Sequence, residues 1–301
     1  MLNRRRFLAI SAALLAPVAA SAQPLHVETG QALGARVTLR LAHPDAPAIA
    51  ARAMAEIDRL ETIFSLYRPD SALCRLNRQG HLDDPPFDLL ECLSLAGAVQ
   101  AASGGLFDPT VQPLWALHAE AAARGGLPGP ADRQATLART GWSHLRLDAT
   151  RITHGPGRAL TLNGIAQGYI ADRVAALLAA EGLDDILIDT GELHALGGHP
   201  DGGAWPVHLA QGGQVALRSR ALATSAPLGT TFDQAGRIGH ILDPHNGLPG
   251  PAAFRAVSIS APSAALADAL STAACLMKVK DQVAALCDAF PGAKPESVIP
   301  V

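Results

Sequence analysis

Asp268 and Thr272 are the residues of this 301-residue chain whose types and spacing point to a metal ion. They lie four positions apart in the segment APSAALADALSTAACLM, which predicts a helix over Ala264–Met277, so both side chains share one helix face. A carboxylate and a hydroxyl are hard oxygen ligands of the kind that Mg²⁺ accepts. A second interpretation stays open, in which Asp268 lies at an exposed edge and Thr272 bonds back to its own helix.

The segment TLNGIAQGYIADRVAALL could bind a phosphate group. It predicts a strand at Ala159–Leu162, a turn with Asn163 and Gly164, and a helix over about Ala166–Ala180 that starts beside Gln167. Free backbone N–H groups at a helix N-terminus bind anions. The segment lacks both the dinucleotide pattern GxGxxG and the P-loop Lys-Ser/Thr pair, so a plain strand–helix connection explains it equally well.

His240 is the candidate general base, because a histidine titrates near neutral pH and can take a proton from a weak nucleophile. It stands in GRIGHILDPHNGLPG, where a predicted strand at Ile238–Leu242 is followed by the turn pairs DP and NG. The alternative is a hydrogen-bonded polar residue at the end of a strand.

Two further segments could contact a ligand. GGLFDPTVQPLW sets Asp108 and Thr110 around Pro109, which suits a rigid loop, and FSLYRPDSALCRLN places Tyr67 just past a helix. A tyrosine ring there could stack on a flat ligand. Either segment could equally be a structural corner.

The elements that must position these residues alternate irregularly between helices and strands, and several strand pairs have the spacing of hairpins. This favours an α+β fold over a doubly wound parallel sheet. A long helix carries apolar residues from Ile49 to Phe64 at spacings of three and four. The other predicted helices are Leu89–Ala102 and Lys280–Phe290, the other predicted strands are Arg36–Leu41, His144–Leu147, Asp185–Asp189, Pro206–Leu209 and Ala256–Ser260, and Ala122–Pro130 is a predicted loop.

Composition excludes several classes of function. Hydrophobic residues make up 49% of the chain and charged residues 17%, which does not fit a disordered protein. The formal charge of −3 gives no support for a nucleic-acid partner. The four cysteines form no CxxC pair, so zinc and thioredoxin chemistry are poorly supported, and we expect small buried side chains at Cys74, Cys92, Cys275 and Cys287.

Residues 1–22 have the pattern of an export signal. Arg4, Arg5 and Arg6 precede Phe7 and an apolar run, and a small-residue cleavage site ends at residue 22. Paired arginines before Phe-Leu are typical of the twin-arginine route, with an ordinary export signal as the alternative. We therefore expect a periplasmic protein without a lipid anchor, comprising residues 23–301 and carrying a formal charge of −6, because the leader holds three basic residues and no acid.

The order of the segments resembles one family. FSLYRPDSALCRLN, GGLFDPTVQPLW, LTLNGIAQGYIADR, DILIDTGELHALGG, ALATSAPLG, GHILDPHNGLPG and the Asp268/Thr272 helix look like the successive blocks of the ApbE family, from about Gly30 to Met277. The resemblance implies an FAD:protein FMN transferase, which uses Mg²⁺ and FAD, transfers FMN to a Thr or Ser hydroxyl of a target flavoprotein, and releases AMP. It also implies a single two-lobed, T-fold-related α+β domain with mixed or antiparallel sheets packed by helices.

The resemblance assigns roles to residues of this chain. Asp268 and Thr272 match the family's metal-binding pair, with the backbone carbonyl at Gly164 as a third ligand, and His240 matches the residue thought to act as base. The positions that match FAD contacts are Leu33, Tyr67, Phe107, Asp108, Thr110, Asn163, Gln167 and Leu242.

Three positions depart from the family's pattern. Thr161 replaces an aspartate, Gln167 replaces a frequent lysine, and Gly239 replaces the serine before the histidine. The first two changes remove a charge near the expected pyrophosphate, so nucleotide affinity or metal requirement could differ.

Two alternatives to transfer stay open, namely an FAD pyrophosphatase and a flavin-binding accessory protein that matures a periplasmic redox enzyme such as nitrous oxide reductase. A membrane-associated redox complex is a further candidate target.

Overall fold

The main sheet forms the centre of the protein, whose computed structural model describes residues 23–251 and 253–301. The predicted export signal at residues 1–22 lies outside the described residues. In chain order the strands are β1 (His26–Ala32), β2 (Ala35–Leu41), β3 (His81–Asp83), β4 (Arg146–Leu147), β5 (Arg151–Thr153), β6 (Ile186–Asp189), β7 (Leu193–Leu196), β8 (Trp205–His208), β9 (Gln214–Leu217), β10 (Arg220–Ser225), β11 (Phe254–Ala261) and β12 (Lys294–Pro300).

Strands from both ends of the chain build this sheet, in the order β1-β2-β6-β7-β10-β11-β12. Within the described residues every strand pair is antiparallel. The remaining strands form a small sheet in the order β3-β5-β4 and the hairpin β8-β9. Antiparallel pairing throughout agrees with the α+β class predicted from the sequence.

The structure describes eight α-helices, of which the first and the last three pack against one face of the main sheet. They are α1 (Ala46–Phe64), α2 (Ala72–Gln79), α3 (Phe87–Ala102), α4 (Gln112–Ala123), α5 (Pro130–Leu137), α6 (Ala166–Ala180), α7 (Ala264–Ala274) and α8 (Lys280–Asp288). Helix α7 packs on β10 and β11, and α6 packs between α7 and α1. The predicted apolar face of α1 is buried at Ile49, Ala53, Ile57, Leu60 and Phe64.

The β8-β9 hairpin covers part of the opposite face of the sheet. Trp205 and Leu217 of the hairpin pack with Leu187, Ala195 and Leu222 in a second, smaller apolar cluster. The protein therefore has three layers, in which the sheet lies between helices and a hairpin.

Helices α6 and α7 approach each other so closely that their contact requires a glycine. A Cβ atom built on Gly168 would lie 2.3 Å from the carbonyl oxygen of Ala264, so no larger residue fits between the two backbones. The start of α6 and the start of α7 are thereby held in direct contact, and both helices carry predicted site residues.

Most of the predicted helices and strands are present, and helix α6 has the predicted bounds. The predicted strand at Ala159–Leu162 is wrong, because the backbone N–H and C=O of Leu160 bond to the Asn77 side chain at 2.7 and 2.8 Å instead of to another strand. The predicted strand at Ile238–Leu242 is also wrong, since this stretch makes only the isolated bridges Thr231–Gly239 and Leu242–Pro249.

Other helix and strand boundaries in the structure differ from the predicted ones by a few residues. The predicted strand at His144–Leu147 begins as a 3₁₀ turn and pairs only at Arg146–Leu147. The predicted loop at Ala122–Pro130 separates α4 from α5, and α4 itself was not predicted. Among the described residues, no helix is both long and apolar enough to cross a bilayer.

The cysteines behave as expected. None of the four is paired in the part of the chain that the structure describes, and Cys92, Cys275 and Cys287 are buried while Cys74 is half-buried. Burial raises the pKa of the Cys275 thiol to about 12, so this thiol is protonated and unreactive at neutral pH.

Candidate functional site

A cavity of about 350 Å³ between the helices and the end of the main sheet collects most of the residues predicted to form the site. This volume is in the range of small-molecule sites in proteins. The predicted residues that line the cavity are Phe107, Asp108, Asn163, Gly164, Gln167, His240, Leu242, Asp268 and Thr272.

Asp268 presents a buried carboxylate to this cavity from the middle of α7. The residue is 3% exposed, and its Oδ2 atom has no hydrogen-bond partner among the described residues. Burial raises the pKa of the carboxyl to about 8, which the Gly168 N–H opposes and the Asp172 charge increases. The interpretation that Asp268 lies at an exposed edge is therefore wrong, and an unpartnered buried carboxylate calls for a cation.

Thr272 and the Gly164 backbone lie beside each other at the same end of the cavity. A Cβ atom built on Gly164 would lie 3.0 Å from Thr272 Oγ1. The hydroxyl of Thr272 is 3.3 Å from the hydroxyl of Ser225, so its neighbour is a strand residue and not its own helix. Asp268, Thr272 and Gly164 therefore line one cavity, and oxygen donors of these kinds fit Mg²⁺.

The start of α6 forms the wall next to these donors. Thr161, Asn163, Gly164 and Gln167 all line the cavity, as expected for the segment that could bind phosphate. Ile165, the residue before α6, provides no side-chain cap, and the Gly168 N–H in the first turn faces the Asp268 carboxyl. The Gln167 side chain lies against the turn after β6, where a Cβ built on Gly191 would be 3.0 Å from its Nε2 atom.

His240 reaches the cavity from the irregular segment between β10 and β11. Its Nδ1 atom is 2.9 Å from the carbonyl oxygen of Thr230, and a carbonyl only accepts, so Nδ1 carries the proton and Nε2 is a free base in the neutral ring. Burial lowers the pKa of His240, although the carbonyls of Thr230 and Pro227 oppose that shift. Burial thus keeps His240 in the neutral form that a general base requires.

Asp108 and Thr110 serve mainly as a structural corner. Asp108 caps the 3₁₀ turn Pro109–Val111, accepting from the Thr110 N–H at 2.8 Å through Oδ1 and from the Trp142 N–H at 3.1 Å through Oδ2. The Thr110 hydroxyl accepts from the Gly141 N–H at 2.6 Å. Thr110 is buried away from the cavity, while Phe107 and Asp108 contribute to its lining.

Leu33 and Tyr67 lie together, but they do not line the cavity. Leu33 is in the tight turn between β1 and β2, with a φ of +50°, and its N–H donates to Glu61 Oε1 at 2.7 Å. The Tyr67 ring covers this turn, since a Cβ built on Gly34 would be 3.6 Å from Tyr67 Cε2. Tyr67 is 71% exposed, so one side of its ring is available to a flat ligand.

Comparison with known proteins decides the family. Residues 33–293 match the model of the ApbE family. The chain belongs to the ApbE family. It is 31% identical over 275 residues to the FAD:protein FMN transferase of Treponema pallidum, which covers 81% of this chain and 75% of that protein. It is also 31% identical over 231 residues to the FAD:protein FMN transferase of Klebsiella pneumoniae, covering 72% and 71% of the two proteins.

Solved structures of ApbE proteins share the fold. The apo flavinyl transferase ApbE of Pseudomonas stutzeri superposes with a TM-score of 0.77 at 30% identity, over 88% of each chain. The ApbE protein of Thermotoga maritima superposes with a TM-score of 0.79 at 25% identity, over 92% of this chain and 97% of that one. Both the predicted family and the predicted fold class are confirmed.

One cavity residue of this ApbE-family protein was not singled out from the sequence. Glu192, in the turn between β6 and β7, is 8% exposed, and its Oε2 accepts from the Thr224 N–H at 3.3 Å. Burial, and then the nearby charge of Asp268, raise the pKa of Glu192 well above its ordinary value. The only hint in the sequence was an acid just after a buried strand, in DILIDTGELHALGG.

The carboxyl groups around the cavity suit a cation better than an anion. Glu192 and Asp268 both border it, whereas no Lys or Arg lines it within residues 23–251 and 253–301. The glutamine at position 167 and the threonine at position 161 therefore leave the cavity without a compensating charge from the protein. A pyrophosphate entering such a cavity would need a metal ion to offset its charge.

Proposed function

We propose that this ApbE-family protein transfers FMN from FAD to a Thr or Ser hydroxyl of a target flavoprotein, in a reaction that depends on Mg²⁺ and releases AMP. The observation that carries the proposal is the buried, unpartnered Oδ2 atom of Asp268, beside Thr272 and Gly164 in the cavity that also holds His240. The names of the relatives support flavin transfer as the activity.

Asp268, Thr272 and the Gly164 carbonyl would hold the metal ion. When bound, Mg²⁺ would offset the negative charge that develops on the pyrophosphate oxygens. At the adjacent first turn of α6, the Gln167 N–H would be offered to a phosphate oxygen, since the Ala166 N–H bonds to the Leu162 carbonyl at 2.7 Å. Together these groups would place the pyrophosphate between the start of α6 and the ring of His240.

His240 would activate the acceptor. Its Nδ1–H is fixed by the Thr230 carbonyl, and Nε2 accepts the proton of the incoming hydroxyl. The hydroxyl oxygen attacks the phosphorus atom on the FMN side of the pyrophosphate. The bond from that phosphorus to the bridging oxygen breaks, and AMP leaves with the oxygen and the bonding electrons. The product is an FMN joined to the target through a phosphoester bond.

Tyr67 and Leu33 would contact the isoalloxazine ring outside the cavity. Tyr67 presents an exposed ring face above a rigid turn, which suits stacking against a flat heterocycle. Phe107, which lines the cavity beside Gly164, adds an apolar surface.

The experiment that tests the function combines purified protein, FAD, Mg²⁺ and a candidate acceptor domain. A fluorescent flavin that remains on the acceptor through denaturing gel electrophoresis supports transfer. FMN and AMP without labelled acceptor would instead indicate a pyrophosphatase, and neither product would indicate a flavin-binding accessory protein. In the same assay, Asp268→Asn removes the proposed metal ligand and should lower transfer. Asp288→Asn, which changes an exposed carboxylate on α8, is the matched control.

We further propose that the protein acts in the periplasm after export by the twin-arginine route. The pattern in residues 1–22 supports this location, and it makes exported electron-transfer proteins, including membrane-associated redox complexes, the candidate targets. Replacing Arg4 and Arg5 with lysine should retain the protein in the cytoplasm, as measured by cell fractionation. Export that is unaffected by this change would point to an ordinary export signal.

A further inference from the structure

Three hydroxyl groups form a chain behind the proposed metal ligands. Ser225, the last residue of β10, has its Oγ atom 2.7 Å from Ser271 Oγ and 3.3 Å from Thr272 Oγ1. Ser271 Oγ lies 3.0 Å from the backbone oxygen of Asp268. Ser271 is fully buried, and Ser225 is half-buried at the cavity wall.

One assignment of donors and acceptors satisfies all three hydrogen bonds of this chain at once. A hydroxyl has one hydrogen to donate, and a backbone carbonyl can only accept. The hydrogen of Ser271 therefore goes to the Asp268 carbonyl, and Ser271 Oγ must accept from Ser225. The hydrogen of Ser225 is thereby used, so Ser225 Oγ must accept from Thr272.

This direction leaves the oxygen of Thr272 free to bind a cation. With its hydrogen directed to Ser225, the lone pairs of Thr272 Oγ1 are available on the side of Gly164, where a Cβ atom would already lie 3.0 Å from Oγ1. A threonine whose hydrogen pointed toward that side would repel a cation.

We propose that Ser225 and Ser271 are positioning residues, which orient the Thr272 hydroxyl as a metal ligand and thereby set the affinity of the site for a divalent cation. The inference rests on the proposed function, because it takes Asp268 and Thr272 as metal ligands. Neither serine need touch the metal or the substrate. Removal of an outer partner of a metal ligand commonly lowers metal affinity about 10–100-fold.

Replacing either serine with alanine should weaken metal binding, for a different reason in each case. In Ser225→Ala, Thr272 loses its acceptor, and its hydrogen is free to turn toward the metal side. In Ser271→Ala, the Ser225 hydrogen loses its acceptor and can turn toward Thr272, which must then accept and give up a lone pair. In Ser225→Thr, the hydroxyl is kept, so affinity should recover.

The test measures binding of Mn²⁺ to the full chain without FAD, by electron paramagnetic resonance of the free ion, with Mg²⁺ as competitor. Ser225→Ala and Ser271→Ala should each weaken binding about 10–100-fold, and Ser225→Thr should restore it. Ser258→Ala is the control, because it removes a buried strand hydroxyl that bonds Thr224 at 2.8 Å without touching Thr272. This control should bind Mn²⁺ like the wild type.

The outcomes separate this inference from the proposed function. If the wild type binds Mn²⁺ through Asp268, shown by loss of binding in Asp268→Ala, and Ser225→Ala binds equally well, the orientation chain alone is wrong. If Ser225→Ala lowers FAD affinity but not Mn²⁺ affinity, Ser225 contacts substrate instead and the inference also falls. If the wild type binds no Mn²⁺, both the metal site and the chain behind it are overturned.

Discussion

Asp268 and Tyr67 lie in two regions of the site that differ in solvent exposure. Asp268 is 3% exposed on a helix inside the core, without a partner for Oδ2 among the described residues, whereas Tyr67 is 71% exposed beside a hairpin turn. Ionisation of the buried Asp268 carboxyl is unfavourable unless a cation is bound. A cation there would suit chemistry on phosphates. The exposed ring of Tyr67 affects the stability of the fold little, and it is accessible to a flat ligand.

The largest expected effect comes from Asp268→Asn, which should lower transfer by at least about 100-fold, because several kcal/mol of charge stabilisation would be lost with the metal. Without metal, the melting temperature should be equal to or above that of the wild type, since burial raises the pKa of Asp268 to about 8 and the amide avoids the cost of protonating a carboxylate on folding. Asp288→Asn should change neither quantity. A clearly lower melting temperature for Asp268→Asn would mean that the carboxylate has a structural role.

His240→Gln should lower the rate of transfer about 10²–10⁴-fold, because the general base is lost while the ring position is filled by a polar side chain. Binding of FAD, followed by quenching of flavin fluorescence, should stay close to that of the wild type. His144→Gln, at an exposed 3₁₀ turn, is the control. Equal rates in His240→Gln and wild type would remove His240 from the mechanism.

The pH profile tests the same histidine without a mutation. Burial lowers the pKa of His240 from 6.5, so the ring stays neutral to lower pH than a free histidine does. Activity should therefore fall only as the pH drops below 6.5, and kcat/KM at saturating Mg²⁺ should show its acid limb there. An acid limb with a midpoint above 6.5 would indicate another titrating group.

Tyr67→Ala should weaken FAD binding about 10-fold, because stacking of an aromatic side chain on a heterocycle contributes about 1–3 kcal/mol. Tyr67→Phe keeps the ring and should bind like the wild type. The melting temperature should stay the same in both variants, since the side chain is mostly exposed. Equal FAD affinity in Tyr67→Ala would show that the flavin does not reach this turn.

The smallest expected effect belongs to Gln167→Lys, which places a positive charge at the cavity wall where we propose that the pyrophosphate binds. A partly exposed ion pair contributes about 0.2–1 kcal/mol, so the KM for FAD should fall by about 5-fold or less. Gln211→Lys makes the same change of charge in the exposed β8–β9 turn and should leave the KM unchanged. A raised KM in Gln167→Lys would mean that the amide itself makes a contact that lysine cannot replace.

The buried region was easier to predict from the sequence than its surroundings. A fixed spacing of four on a helix brings Asp268 and Thr272 together whatever the rest of the chain does. Glu192 sits in a turn, where no spacing indicates which way a side chain points. Its role in the cavity depends on the pairing of β6 with β7, which becomes visible only in the fold.

The wrong strand predictions, and the ligand loop expected at Asp108 and Thr110, depend on tertiary contacts that a local sequence pattern does not show. Leu160 lies in an alternating stretch, yet its backbone bonds to Asn77, a residue 83 positions away in sequence. Asp108 and Thr110 stood out as a possible ligand loop, and most of their bonding capacity goes to Trp142 and Gly141. Local patterns show that such groups need partners, but only tertiary packing selects which partners they obtain.

The contact between Gly168 and Ala264 has a consequence for which ions the site can accept. Helices α6 and α7 meet backbone to backbone there, so any side chain at position 168 would separate the start of α6 from α7, which carries Asp268. Mg²⁺ binds oxygen at about 2.0–2.1 Å, whereas Ca²⁺ requires about 2.3–2.6 Å and more ligands. We therefore expect Gly168, through the close contact of these two helices, to help the proposed metal site favour Mg²⁺ over Ca²⁺.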